Sequence, residues 1–369
     1  MALHVRGARF AGLAGLGLAV LLSGCEGEKK KSPAPAAAAS DAPAAPMLGG
    51  KLGQAVAQGV SGGTPSPQAS AKSTGDGPPE NGIFEPGVAD TKLAPSAPPK
   101  IELLGEGNEP KLALSYSVPA KTERKSTALL QIRVAQQGLA PLAIDMVWKA
   151  DKPKDDKAKD DKDTPPPSSF PVVVKLASMK ALRGEVPKDL EKLKDTVFRY
   201  RLSRAGVITD LVVEPPKETT PAIELATGSL TDVLTEATMP LPDKPVGVGA
   251  TWMVTDRTRS SGVDVVRYRV ATVTKVDGKN VSLSVEVRQY AVNTALVLSV
   301  LPKDAAVSLE GYDSKGKGQL DLEMPDQPFL PAKAQVAVAM QGMLKAPEQQ
   351  AGQKLAIQTE TRAAIDKTP

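Results

Sequence analysis

The stretch VDVVRYRVATVTKVDGKNVSLSVEVRQYAV, Val263 to Val292, decides the fold. Val281, Leu283, Val285 and Val287 alternate with Ser282, Ser284, Glu286 and Arg288, the period-two pattern of a strand with one buried face. Asp277-Gly278 stands between this run and the one before it, and glycine tolerates the positive φ that a tight hairpin needs. A hairpin pairing Val263–Val276 with Val281–Val292 follows.

The same alternation recurs on both sides of the hairpin. Leu112, Leu114, Tyr116 and Val118 carry it, as do Leu130, Ile132 and Val134, and then Phe198, Tyr200 and Leu202. Further strands are expected at Leu142–Trp148, Val172–Met179, Val207–Val213, Val307–Tyr312, Leu320–Met324, Ala334–Met340 and Leu355–Thr359. So many strands with one apolar face each predict a mainly β domain over residues 101–369, a large antiparallel curved sheet, sandwich or partial barrel. Helices are few. One is expected from Thr220 as N-cap with Pro221 at its first position, bringing Ile223, Leu230, Val233 and Leu234 near one face and ending before Pro240. A shorter one is expected over Pro187–Lys194. The insert of residues 151–169 interleaves aspartates with lysines, and its charges nearly cancel. It lacks the spacing of a calcium loop and reads as a mobile polar connection.

Residues 26–100 are dominated by Ala, Pro, Gly and Ser, too poor in large apolar side chains to offset the entropy of ordering. They read as a disordered linker of about 75 residues, spanning roughly 50 Å as a flexible coil. Ahead of them, Arg6 and Arg9 precede an apolar run from Phe10 to Leu22, the n-region and h-region of an export signal. As a helix the run covers about 20 Å, short of the roughly 30 Å of a bilayer core. Leu22-Ser23-Gly24-Cys25 resembles the lipobox of bacterial lipoproteins at all four positions. The resemblance implies removal of residues 1–24, a diacylglycerol on the Cys25 sulfur and a further acyl chain on its amino group. Two or more chains anchor stably where one does not. Glu26 is not the Asp that retains enteric lipoproteins at the inner membrane, which points to the outer membrane.

Composition then narrows the chemistry. His4, the one histidine of the chain, leaves with the signal, and Cys25, the one cysteine, is acylated. General bases built on histidine, Cys-His pairs and zinc sites of His or Cys are thereby excluded, and no cofactor is expected. Loss of Arg6 and Arg9 lowers the formal charge from +4 to about +2, against the basic stripe of a nucleic-acid binder.

Three motifs remain as candidates. Ser314-Lys315-Gly316-Lys317 has the Ser-x-x-Lys spacing of acyl-transfer enzymes, but the glycines around it predict a hairpin turn. Asp321 and Glu323 share the wet side of a strand. Tyr116, Phe198, Tyr200, Tyr268 and Trp252 lie on or beside apolar faces, as core or as a pocket lining. The most distinctive stretch is LPDKPVGVGATW, Leu241–Trp252, in which prolines stop the helix, Gly247 and Gly249 allow a backbone turn, and Trp252 opens the next strand. Through Pro245, Gly247, Gly249 and Trp252, and through Ser314–Asp326, the chain resembles a family of uncharacterised bacterial envelope lipoproteins. No activity comes with that resemblance. The expectation is a non-enzymatic, outer-membrane-anchored lipoprotein with a binding or scaffold domain for a protein partner or apolar ligand. A periplasmic carrier of lipid or another hydrophobic ligand, built on a curved sheet like that of the half-barrel lipoprotein chaperones, is the alternative. A hydrolase using carboxylates or a Ser/Lys pair is the more distant one.

Overall fold

The structure is a computed structural model and describes residues 78–117, 122–134, 137–138, 141–150, 169–297, 308–324, 327–345 and 355–366. The lipobox and the charged insert up to residue 168 lie outside these residues. The elements, in chain order, begin with the short helix α1 (Val88–Lys92), β1 (Lys100–Gly105), β2 (Tyr116–Ser117), β3 (Thr122–Val134), β4 (Gln137–Gly138), β5 (Leu142–Ala150) and β6 (Ser169–Ala181). A 3-10 helix (Lys188–Asp195), β7 (Val197–Ser203), β8 (Ile208–Glu214) and helix α2 (Pro221–Glu236) come next. The chain continues through β9 (Thr251–Ser260), β10 (Val263–Asp277), β11 (Asn280–Ala291), β12 (Ser308–Glu323), β13 (Gln327–Pro328), β14 (Lys333–Lys345) and β15 (Leu355–Asp366).

Twelve strands form one antiparallel sheet in the order β1-β9-β10-β11-β12-β14-β15-β3-β5-β6-β7-β8, with β4 hanging on β3. The Val263–Val292 hairpin forms as expected: Val265 pairs with Ala291 and Asp277 with Asn280, around Gly278 at φ 58°. Flat, such a sheet would be roughly 50 Å wide at 4.8 Å per strand. Trp252 on β9 and Trp148 on β5 nevertheless share one apolar core, together with Leu230, Val233 and Leu234 of α2. The sheet is therefore strongly curved, and α2 lies in its hollow, packed on β3, β9 and β15 and on the 3-10 helix.

Helix α2 begins where its signals place it. Thr220 Oγ1 accepts a hydrogen bond from the Ile223 amide at 3.2 Å, and Pro221 occupies the first turn. Residues 223, 225, 226, 229, 230, 232, 233, 234 and 236 are all buried, so the helix is enclosed on most of its circumference.

Three expectations need correction. Residues 78–100, assigned to the linker by composition, include ordered structure: Ile83 bridges Ala291, and Phe84 and Ala89 pack with Val266 and Val292 on the outer face of β10 and β11. A few apolar residues in a Pro- and Gly-rich segment suffice once a sheet offers them a surface. Second, Val307–Tyr312 and Leu320–Met324 are parts of one long strand, β12, with no turn at Ser314–Lys317. Gly316 and Gly318 face inward there, where a Cβ would come within 2.6 Å of a Val338 or Val336 methyl, so these glycines mark close packing of neighbouring strands. Third, among the described residues of the Leu112–Val118 alternation, Tyr116–Ser117 alone is a strand. Leu112 instead exchanges both backbone hydrogen bonds with Val246, at 2.8 and 2.9 Å, and the Tyr116 amide donates to the Arg204 carbonyl at 2.8 Å.

That third segment has an architectural role. With residues 237–250 it ties the β1 side of the sheet to the β7–β8 turn: Leu241 N–H donates to Ala205 at 2.8 Å, and Tyr116 Oη donates to the Met239 carbonyl at 3.1 Å. Gly247 sits at the crossing, because a Cβ there would overlap the carbonyl oxygen of Asn108. Gly247→Ala is expected to lower stability by about 1–3 kcal/mol, the range for overpacking a close contact, measured as a fall in the midpoint of chemical denaturation.

Candidate functional site: a buried ionic belt beneath helix α2

The inward side of the sheet is apolar at both ends and polar across its middle. Alternation gives Val265, Arg267, Arg269, Ala271 and Val273 the same inward direction on β10, so two arginines stand in an otherwise apolar row. They are 2% and 3% exposed. Asp256, on the paired strand β9, receives both: Arg267 Nε donates to Oδ1 at 2.8 Å and Arg267 Nη2 to Oδ2 at 3.0 Å, while Arg269 Nη2 donates to Oδ2 at 2.6 Å. Burial opposes the charge on Asp256, yet the two guanidiniums outweigh it and hold the carboxyl below its ordinary value.

The same arginines grip α2. Arg269 Nη1 donates to the carbonyls of Thr235 and Thr238, each at 2.9 Å, and Arg267 Nη1 donates to Thr235 Oγ1 at 2.9 Å. The last carbonyls of a helix lack intrahelical partners and carry the negative end of its dipole, so a buried guanidinium there satisfies both hydrogen bonding and charge. A carboxylate-held arginine pair thus fastens the C-terminal end of α2 to the sheet.

Facing this clamp from the helix are Asp232 and Glu236, four residues apart and on one side of the turn. They are 2% and 3% exposed. Ser260 Oγ donates to Asp232 Oδ2 at 2.8 Å, while Asp232 Oδ1 and both oxygens of Glu236 make no hydrogen bond of good geometry; the Ser261 backbone beside Asp232 and the Thr361 side chain beside Glu236 are the remaining donors that favour the charged forms. Two donors of the belt are also unpaired, Arg269 Nε and Gln289 Nε2. Gln289 Oε1 is fully engaged, accepting from Tyr312 Oη at 3.0 Å and Ser314 Oγ at 2.9 Å. Burial pushes Asp232 up to about 7, against the pull of Ser260 and Arg267. Burial and the neighbouring Asp232 charge push Glu236 up to about 8.

The residues singled out in the sequence fall elsewhere. Cys25, Leu22, Ser23 and Gly24 lie outside the described residues. Pro245 is exposed, Gly249 adopts φ 85° in the turn, and Trp252 is fully buried at the start of β9, its Nε1 donating to the Pro240 carbonyl at 2.8 Å. This stretch is the fastening between α2 and β9. Ser314 points inward and Lys317 outward, as residues three apart on a strand must, so they cannot form a nucleophile and base pair. Asp321 and Glu323 do share one side of β12, the half-buried outer one, where Asp321 accepts from Ser282 at 2.7 Å. Tyr116, Phe198, Tyr200 and Trp252 are core; Tyr268 turns to the outer face and packs edge-on against Tyr290, ring centres 5.9 Å apart. Among the described residues no cluster of three or more His, Cys, Asp or Glu is arranged to hold a metal ion.

The belt itself went unread in the sequence, although two signals were present. Arg267 and Arg269 have the parity of the buried valines of β10, and Asp232 and Glu236 continue the spacing Leu225, Ser229, Asp232, Glu236 along one side of α2.

No family model matches the chain, and no curated protein matches it. Among solved structures it is similar to one described as lipid-protein interactions in lipovitellin, at 11% identity and a TM-score of 0.39, over 67% of this chain. The match takes in 25% of the lipovitellin chain, and a likeness at that score establishes neither fold nor ligand.

Two outcomes follow from the geometry. Removing one partner of a buried ion pair strands the other charge, so Arg269→Met is expected to cost about 3–5 kcal/mol in denaturant unfolding. Because Asp232 and Glu236 hold protons in the folded chain that they lose on unfolding, stability falls as pH rises from about 5 to 8, by at most about 1.4 kcal/mol per pH unit per group. Denaturation midpoints measured across that range should show the decline in the parent and a flatter profile in Asp232→Asn/Glu236→Gln.

Proposed function

We propose that the chain is an outer-membrane lipoprotein, held by acylated Cys25, whose sheet domain is a non-enzymatic binding or scaffold module. The observation that carries this reading is the filled hollow of the sheet: α2, Trp148, Trp252 and the ionic belt occupy the volume that a carrier would reserve for its ligand. The strongest acid and base candidates, Asp232, Glu236 and Asp256, are buried between α2 and the sheet while the helix is seated. Binding then belongs to the outside of the domain. Among the described residues the terminal strands β1 and β8 pair on one side only, which leaves an edge of each for a partner's extended segment. Beside β1 an open groove of about 340 Å³ runs between Ile101, Leu103, Ala205, Leu241, Pro242 and Asp243, its walls about equally polar and apolar.

The carrier reading keeps one observation in its favour: the inner face of a curved sheet, apolar toward both ends, is covered by α2 and the short 3-10 helix. The two readings separate in one preparation. Cys25→Ser is expected to move the protein from the membrane to the soluble fraction. Mass spectrometry of that soluble form, purified without detergent, is expected to find no stoichiometric lipid; one lipid per chain would replace the scaffold reading with the carrier.

A further inference from the structure

A helix in a hollow of this kind needs holding, and the way α2 is held is uneven. Its apolar residues Ile223, Leu230, Val233 and Leu234 are fully enclosed, and its last carbonyls are satisfied by Arg269. Between these secure contacts sit two buried carboxyl groups, three of whose four oxygens make no hydrogen bond of good geometry, with the Ser261 backbone and Thr361 as the only further donors beside them among the described residues. A buried polar group without a partner costs on the order of 1–3 kcal/mol, and an ionised carboxylate costs more. The arrangement is tolerable while both groups are neutral and strained when they are charged.

The groups that face the pair decide the sign. From β10 come Arg267 and Arg269, already committed to Asp256 of β9, and from β12 comes Tyr312, whose hydroxyl donates to Gln289. The inward side of β15 offers Thr359 and Thr361, and that of β3 offers Ala128 and Leu130, with Arg124 six residues further along the strand. The 3-10 helix presents Leu190 and Leu193 and keeps its charged side chains exposed. With both helix carboxylates ionised, three negative charges share two guanidiniums; with both neutral, Asp256 keeps the pair to itself.

We propose that Asp232 and Glu236 make α2 a proton-operated plug: protonated, they let the helix stay seated in the hollow, and on losing their protons they lift it and uncover the apolar inner face of the sheet. The raised values of both groups, toward neutrality, place the transition between about pH 6 and 9. The inference goes beyond the scaffold reading and requires no bound ligand.

The two tryptophans serve as reporters in the full chain. Trp252 bonds to Pro240 just beyond the plug, whereas Trp148 sits on β5 with its Nε1 bonded to Ser126 at 2.7 Å. Acrylamide, a neutral quencher, measures access to each in Trp148→Phe and Trp252→Phe backgrounds. Quenching of Trp252 is expected to rise severalfold from pH 6 to pH 9 while that of Trp148 stays low, and Asp232→Asn/Glu236→Gln should abolish the rise. Hydrogen exchange of residues 221–240, corrected for intrinsic rates, reads the same motion in the unsubstituted chain and should lose protection over the same range. A parent without this change, equal responses of both tryptophans, or a persisting response in the double variant would each overturn the proposal. Should the double variant fail to fold, Glu236→Gln alone replaces it, with a weakened response expected and an unchanged one counting against.

Discussion

The pairing of Asp256 with Arg267 and Arg269 is the constraint on which the interior depends. Two guanidiniums inside a protein are tolerable only with an opposing charge and with acceptors for their remaining protons. Asp256 supplies the charge, and Thr235 and Thr238 at the end of α2 supply the acceptors. Neither the arginines nor the helix end could be buried without the other. The position of α2 is therefore set by polar contacts at one end and by apolar packing along its length.

Curvature follows from the same arrangement. A sheet of this width cannot bury one face against α2 and a short 3-10 helix unless it bends around them, and the inner face shows how the bend is accommodated. Gly316 and Gly318 remove side-chain volume in β12 where valines of β14 crowd in, and the ties from Tyr116 to Arg204 and from Leu241 to Ala205 join the β1 side of the sheet to the β7–β8 turn. Trp252 joins these features, lying in the core and bonding to the chain between α2 and β9. The hollow is thereby occupied. The helix that occupies it carries Asp232 and Glu236 on its buried side, where their oxygens lack a full set of well-formed hydrogen bonds.

Much of the architecture was legible in the sequence because alternation and capping are local. The β10–β11 hairpin, the start of α2 at Thr220 and the strand opening at Trp252 all rest on signals within a few residues of one another. Where local signals misled, the cause lay in distant partners. Glycines that read as a turn at 316 and 318 accommodate side chains of another strand, and a sparse apolar pattern at 83–89 becomes ordered on the outer face of β10 and β11.

The sequence by itself determined which side chains share a face: Arg267 with Val265, Asp232 with Leu225 and Glu236, Ser314 apart from Lys317. Only the tertiary structure decided what each face meets. Period two and period 3.6 specify direction relative to the backbone, and they are silent on whether that direction leads to water, to a cavity or to another element's charge. That Arg269 ends at the carbonyls of α2, and that Asp232 and Glu236 face inward rather than outward, depends on a sheet closing around a helix. That closure is a property of residues more than a hundred positions apart, such as Trp148 and Trp252, and no local pattern records it.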